Sequence, residues 1–251
     1  MRLDKLLADQ GFGTRSEVRK LIARGCVQIN GNTCRDSSLK VKDNDEVTCL
    51  GKDVEVVSGK TFYYLLLDKP DCVLTAMEDP RLPHVGELIE DRYRNRGVSP
   101  VGRLDYHTTG LLLLTNDGDM ASRIADPKQK IKKTYMARIG GRLTKEQLAE
   151  LKSGIEIELP VKNAENGVFR KYKTKPAEVN VIEENASQSL VEITISEGKN
   201  RQVRRMFAAA GHRVLQLERT AIGNIKLGRT RPGTCRRLTD AEIEGLKKLL
   251  I

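Results

Sequence analysis

The chain has 251 residues, 39% hydrophobic and 4% aromatic with no tryptophan, and it carries a formal net charge of +10. That length holds one large domain or a small one beside a larger one, and no apolar run approaches a membrane span of about 18 residues. Five dispersed cysteines (Cys26, Cys34, Cys49, Cys72, Cys235), without a CxxC pair or clustered histidines, suggest neither a disulfide framework nor a zinc site and fit a reducing, cytoplasmic setting.

Taken in chain order, Leu3, Leu6 and Leu7 mark a short first helix. Thr14-Arg15-Ser16-Glu17 is a capping box with Thr14 as N-cap, and Val18, Leu21 and Ile22 follow at helical spacing up to Gly25, where a glycine should end the helix. The other face of this helix carries Arg15, Arg19, Lys20 and Arg24. Val27-Gln28-Ile29 then meets Asn30-Gly31, a hairpin turn signal. Residues 1–50 read as one small module, 51–61 as a linker, and 62–251 as a second domain.

The second domain opens with a strand at Tyr63–Leu67, ended by Asp68-Lys69-Pro70 because proline cannot continue a ladder. Strand patterns recur at Leu111–Thr115, Lys133–Ile139, Ala177–Ile182 and Leu190–Ile195. Helical patterns fall near 144–152, 200–210 and 239–250, the last behind a second capping box, Thr239-Asp240-Ala241-Glu242. Many strands with few helices between them predict an α+β domain built on a mainly antiparallel mixed sheet flanked by helices.

Charge is unevenly placed. Residues 197–237 hold 11 Lys/Arg against 2 Glu, whereas residues 1–50 hold 9 against 7 acidic residues. A concentrated basic field points to a polyanion, while the scarcity of aromatics argues against a base-stacking platform. Gly102-Arg103-Leu104-Asp105-Tyr106-His107-Thr108-Thr109-Gly110 then sets an Arg and an Asp two residues apart on a glycine-bounded loop running into four leucines. By itself that is a surface ion pair before a strand, or a reactive carboxylate with a counter-ion at hand.

The wider wording, GRLDxxTxGLLLLTNDG over 17 residues, resembles the central motif of the pseudouridine synthases, specifically the ribosomal-RNA-modifying RsuA type that carries an S4 RNA-binding domain in front. MRLDKLLADQGFGTRSEVRKLI and GCVQINGNTC are similar to that S4 domain, an α-L-like module. Lys132-Lys133-Thr134-Tyr135 and Ser196-Glu197-Gly198-Lys199-Asn200-Arg201-Gln202-Val203-Arg204-Arg205-Met206 are similar to two further motifs of the family.

The resemblance implies isomerisation of a ribosomal RNA uridine to pseudouridine. Asp105 would be the essential carboxylate, acting as nucleophile or as base, and Tyr135 would stack on the flipped base. Arg103 would take the vacated space or contact a phosphate, and Arg204 would pair with Asp105. Lys199, Arg201 and Arg205 would face phosphates, as would Arg15, Arg19, Lys20 and Arg24 of the S4 domain, with Asn200 as the cap of the basic helix. It implies no cofactor and no metal, a monomer away from membranes, and ribosomal RNA or an assembling subunit as partner. The N-terminal wording and Tyr172-Lys173-Thr174-Lys175-Pro176-Ala177 lean to small-subunit 16S RNA; Gly198-Lys199-Asn200-Arg201-Gln202 is also at home among 23S enzymes.

Two departures stand out. Cys72 sits where many relatives have glycine, and His107 lies two residues past Asp105, where its imidazole would either tune that carboxylate or point to RNA or solvent. Other classes fit less well. A glycosidase-like nuclease would need a second carboxylate at suitable spacing, and Asp117 and Asp119 lie past the strand. A non-catalytic ribosome-assembly factor has no evident need for Arg103, Asp105, Tyr135 and Arg204 together.

Overall fold

The computed structural model describes residues 1–42, 44–56, 61–161 and 168–250. Its chain divides into two units, Met1–Tyr63 with Glu90–Ser99, and Tyr64–Ile89 with Pro100–Ile251.

In the first unit, α1 (Leu3–Asp9) leads to α2 (Arg15–Ala23), whose capping box forms as predicted. The Thr14 hydroxyl accepts from the Glu17 amide, and the Glu17 carboxylate accepts from the Thr14 amide at 2.7 Å. Each orphan donor satisfied this way is worth about 1 kcal/mol. β1 (Val27–Ile29) and β2 (Asn32–Cys34) close a hairpin over Asn30 and Gly31, at φ 49° and 78°, the left-handed pair that a type I′ turn requires. β3 (Val47–Cys49) and β4 (Lys52–Val54) complete a sheet in the order β2-β1-β3-β4. Leu3, Leu6, Leu7, Val18, Ile22, Val27 and Val47 form its core with Val54.

The burial of Val54 explains why Lys52–Val54 pairs with β3 instead of serving as linker. Residues 57–60 of the expected linker lie outside the described residues. A short helix, α3 (Asp91–Arg94), clusters with this unit and not with the domain expected over 62–251; the Tyr93 ring meets Tyr63 edge-on at 5.4 Å.

The second unit is organised on a nine-stranded sheet. Its strands are β5 (Tyr64–Lys69), β6 (Ser99–Pro100), β7 (Thr109–Thr115), β8 (Lys133–Gly140), and then β11 (Glu178–Glu184), β12 (Gln188–Ile195), β13 (Val214–Ile222), β14 (Ile225–Lys226) and β15 (Cys235–Arg237). The main path runs β11-β12-β8-β13-β7-β5-β15, with β6 and β14 off it. Its pairings are antiparallel except β13 with β7, which agrees with the predicted mixed sheet. A separate ribbon joins β9 (Glu156–Pro160) and β10 (Phe169–Lys173).

Four leucines in a row suit β7 because both of its faces are covered. Leu111 and Leu113 pack with Met120 and Ile124 of α4 (Gly118–Ala125) and Leu246 of α7 (Asp240–Lys248). Leu112 and Leu114, alternating to the other face, are equally buried. Each such side chain contributes about 1.5–3 kcal/mol on burial. α5 (Lys145–Ser153) and α6 (Gln202–Ala209) complete the unit. No helix among the described residues is long and apolar enough to cross a membrane.

Candidate active site

Asp105 sits on the loop that enters β7, and the backbone on both sides of it is clamped from β5 and its following loop. The Thr75 hydroxyl donates to the Leu104 carbonyl at 2.8 Å and accepts from the Leu104 amide at 3.2 Å. On the other side, the Tyr106 carbonyl accepts from the Lys69 ammonium at 3.2 Å and from the Cys72 amide at 3.1 Å. Lys69 is fully buried, and burial pushes its ammonium down to about 8 against the opposing pull of Asp71, Cys72 and Asp105. Thr108 closes the turn by donating its amide to the Asp105 carbonyl at 3.0 Å. The carboxylate therefore projects from a loop with little freedom, its side chain 31% exposed.

That carboxylate borders a cavity of about 180 Å³. Arg103, Asp105, Thr108, Lys133, Tyr135, Lys199, Arg201 and Arg219 line it, with apolar walls from Ile124, Ile195, Val203, Leu217 and Ile222. Tyr135 is 9% exposed on β8, directly between Ile193 of β12 and Arg219 of β13 in register. The structure thus brings Arg103, Asp105, Tyr135, Lys199 and Arg201 to one pocket.

Arg204 is the exception. The ion partner of Asp105 is Arg201, at 3.8 Å. Arg204 instead donates to the Val214 carbonyl at 3.3 Å and to the His107 carbonyl, so it holds the loop by its backbone. The reason lies at the helix start. Arg201, not Asn200, is the N-cap residue of α6, and it takes a left-handed conformation at φ 49°, ahead of the first turn, while Arg204 lies one turn in. Asn200 accepts from Arg205 through both its carbonyl and its side-chain oxygen.

Buried Glu197 anchors the segment before α6. It accepts from the Tyr172 hydroxyl at 2.7 Å, the Gln202 amide at 2.7 Å and the Lys175 backbone at 3.0 Å. The bond to Glu197, with burial, pushes the Tyr172 phenol up to about 12. Gln202 in turn accepts from the Lys199 amide at 2.9 Å.

The remaining basic residues divide. Arg15 and Lys20 on α2, and Arg24 at its C-cap, are exposed. Arg19 is tied to Asp4, a carboxylate 1% exposed that also binds Arg2, so it serves the fold of its unit. Arg205 bridges Asn200 and the Glu158 carbonyl and lies over the Phe169 ring, which fixes α6 to the ribbon.

Cys72 stands at φ 57°, the region glycine adopts without strain. His107 is exposed as expected, and its Nδ1 lies 3.1 Å from Asp71 and 3.8 Å from the Cys72 sulfur. Asp71, Cys72 and His107 are the one set among the described residues whose ligand atoms could together hold a metal ion. Their separation in sequence hid this grouping. Lys69, Thr75, Lys133, Glu197, Gln202 and Arg219 were likewise missed as site residues. Three of these carried a signal: Lys133 lies two residues before Tyr135 and so on the same face of the strand, and Glu197 and Gln202 lie within the motif at 196–206.

Residues 63–209 match the family described as RNA pseudouridylate synthase, and residues 1–47 match the S4 domain. The chain belongs to the RNA pseudouridine synthases. This RNA pseudouridine synthase, an isomerase, is 37% identical over 250 residues to an uncharacterized RNA pseudouridine synthase of Bacillus subtilis (strain 168), spanning 99% of both. It is 36% identical over 252 residues to the ribosomal large subunit pseudouridine synthase B of the same organism, covering 99% of this chain and 96% of that one. A solved structure described as a pseudouridylate synthase superposes with a TM-score of 0.64 at 32% identity, over 98% of this synthase and 99% of that chain. Its S4 domain supplies an RNA-binding module in front of the catalytic fold.

Proposed function

We propose that this pseudouridine synthase isomerises a uridine of ribosomal RNA, with Asp105 as its essential carboxylate. One observation carries the reading: a partly exposed Asp105 on a clamped loop, at the edge of a cavity sized for a single base and walled by Tyr135. A base within a duplex or stack must be flipped out to reach such a pocket, and an aromatic wall offsets the stacking it loses. Arg103, exposed at the rim, is placed to fill the vacated space or meet a phosphate. Lys199 and Arg201, together with Arg15, Lys20 and Arg24, suit phosphate contact.

The chemistry balances without an external reagent. The C1′–N1 bond breaks with its electron pair remaining on the base, and Asp105 acts either as nucleophile on C1′ or as the base taking a sugar proton. The base turns in the pocket and C5 bonds to C1′, displacing the Asp105 carboxylate where it is the nucleophile, or with Asp105 returning the sugar proton where it is the base; the C5 hydrogen then leaves as a proton, and N1 gains one. Arg201 keeps a positive charge beside the carboxylate, and Arg204 holds the loop that presents it.

The N-terminal wording favours small-subunit RNA. A second reading, a 23S uridine, is favoured by the relative named for the large subunit. Pseudouridine mapping on 16S and 23S rRNA, free and in assembling particles, tests both. Wild type is expected to create a site that Asp105→Asn does not, while the variant still binds the RNA. A new pseudouridine made equally well by Asp105→Asn removes the assignment. Tight binding with no site on either RNA moves the reading to an assembly factor.

A further inference from the structure

The cavity is more cationic inside than phosphate contact requires. Arg219 is 3% exposed, and its Nε donates to the Leu111 carbonyl at 2.8 Å, which fixes the guanidinium. Its Nη2 is buried and has no hydrogen-bond partner among the described residues. The hydroxyl of Thr108, 2% exposed, lines the same cavity and is likewise unpartnered. Lys133, on the strand paired with that of Arg219, lines it too and donates to the Ile131 carbonyl at 3.3 Å. Burial, and then the charge of Arg219, push its ammonium down to about 8. Leaving a buried donor unpaired costs about 1–3 kcal/mol, and two cations lining one pocket repel. Such a set is expected where a ligand supplies acceptors and negative charge.

The apolar walls restrict what that ligand is. Ile124, Ile195, Val203 and Leu217 suit a flat ring and not a hydrated phosphodiester. We propose that Arg219, Lys133 and Thr108 form a receptor for the carbonyl edge of the target base and stabilise the detached uracil as an anion. The proposal rests on the isomerase chemistry above. When the C1′–N1 bond breaks, the electron pair spreads from N1 onto O2 and O4. It stays on the ring until C5 bonds to C1′, the C5 proton leaves and N1 is protonated. Fixed positive charge aimed at those oxygens lowers that intermediate and the barrier before it, and the tilt of the ring against Tyr135 follows from where its carbonyls are held.

The test uses the full chain as wild type, Arg219→Met, Arg219→Lys and Lys133→Met, with 5-fluorouracil as probe. ¹⁹F NMR titration reads the ionisation of the bound base, a quantity that a merely structural role would not move. Wild type is expected to lower that ionisation by about one pH unit or more, the preference for the anion that such charges confer. Both Met variants should lose the shift and Arg219→Lys should keep part of it. In parallel, tritium release from 5-³H-uridine-labelled 16S and 23S rRNA should fall about 10²-fold in kcat in the Met variants, with KM changed far less. Should Arg219→Met fail to melt cooperatively, the half-buried Lys133→Met carries the test. No base uptake by wild type, an unshifted ionisation, or Met variants that retain the shift each overturn the receptor. If wild type still releases tritium, the isomerase reading stands. A shift without tritium release from any RNA removes the isomerase reading and the stabilising role with it.

Discussion

At the scale of single residues, the site is set by contacts that leave Asp105 little choice of position. Gly110 shows how tight the arrangement is. It has φ 93°, and a Cβ there would lie 2.4 Å from the Arg219 carbonyl, where β7 and β13 run parallel. Gly110→Ala should therefore destabilise by about 2 kcal/mol or more, from the left-handed backbone and the clash together, as read by denaturant unfolding. The two arginines of α6 should part company. Arg201→Met is expected to lower turnover about 10²-fold, the size of losing one well-placed charge, with an unchanged melting temperature. Arg204→Met should cost about 1–3 kcal/mol of stability, because the Val214 and His107 carbonyls lose their donor. Equal melting temperatures for the two variants would refute that division. That Asp105, Tyr135 and Arg103 are candidates for one site was legible because each lies in a contiguous motif, and all three line one cavity. The choice of Arg201 over Arg204 was not, since it turns on one left-handed residue.

Among the elements, those that announce themselves locally were read well. The capping boxes at Thr14 and Thr239 and the Asn30-Gly31 hairpin form as the sequence predicts. The box that starts α7 also has a pH signature. Glu242 accepts two bonds from the Arg236 guanidinium, at 2.7 and 2.8 Å, and one from the Thr239 amide. These partners hold its carboxyl down to about 2. A carboxylate depressed in the folded state stabilises fully above its unfolded value and loses that contribution as pH falls towards the folded one. Wild type should therefore lose more melting temperature than Glu242→Gln between pH 5 and about 2, by the equivalent of about 1–2 kcal/mol for a pair partly open to solvent. β13 escaped the sequence reading because its pairing with β8 shifts register twice and Gln216, Glu218 and Arg219 break its apolar pattern. β9 could have been found: Glu156-Ile157-Glu158-Leu159 alternates strictly, and so does its burial.

For the whole molecule, the net charge of +10 overstates the basic side chains left free to meet a polyanion. Within the basic segment 197–237, Arg204, Arg205, Arg219 and Arg236 are engaged with the protein's own carbonyls and carboxylates. The exposed residues of α2 are the better candidates for phosphate contact. Replacing Arg15, Lys20 and Arg24 together by alanine should flatten the dependence of log affinity on log salt by about 2, the effect of three lost phosphate contacts on single-stranded RNA; an unchanged slope in rRNA binding would exclude α2 from that surface. The sequence by itself determined what interactions between near neighbours can specify: caps, the hairpin turn, strand and helix periods, and the candidate Asp105 loop written in one stretch. Only the tertiary structure decided that Lys69 lies beneath Asp105, that Glu197 anchors the start of α6, and that Arg219 and Lys133 face the cavity. The reason is physical. Whether a charged side chain meets solvent, a carbonyl or a pocket depends on strands and loops brought against it from far along the chain, and packing, not spacing, sets that environment.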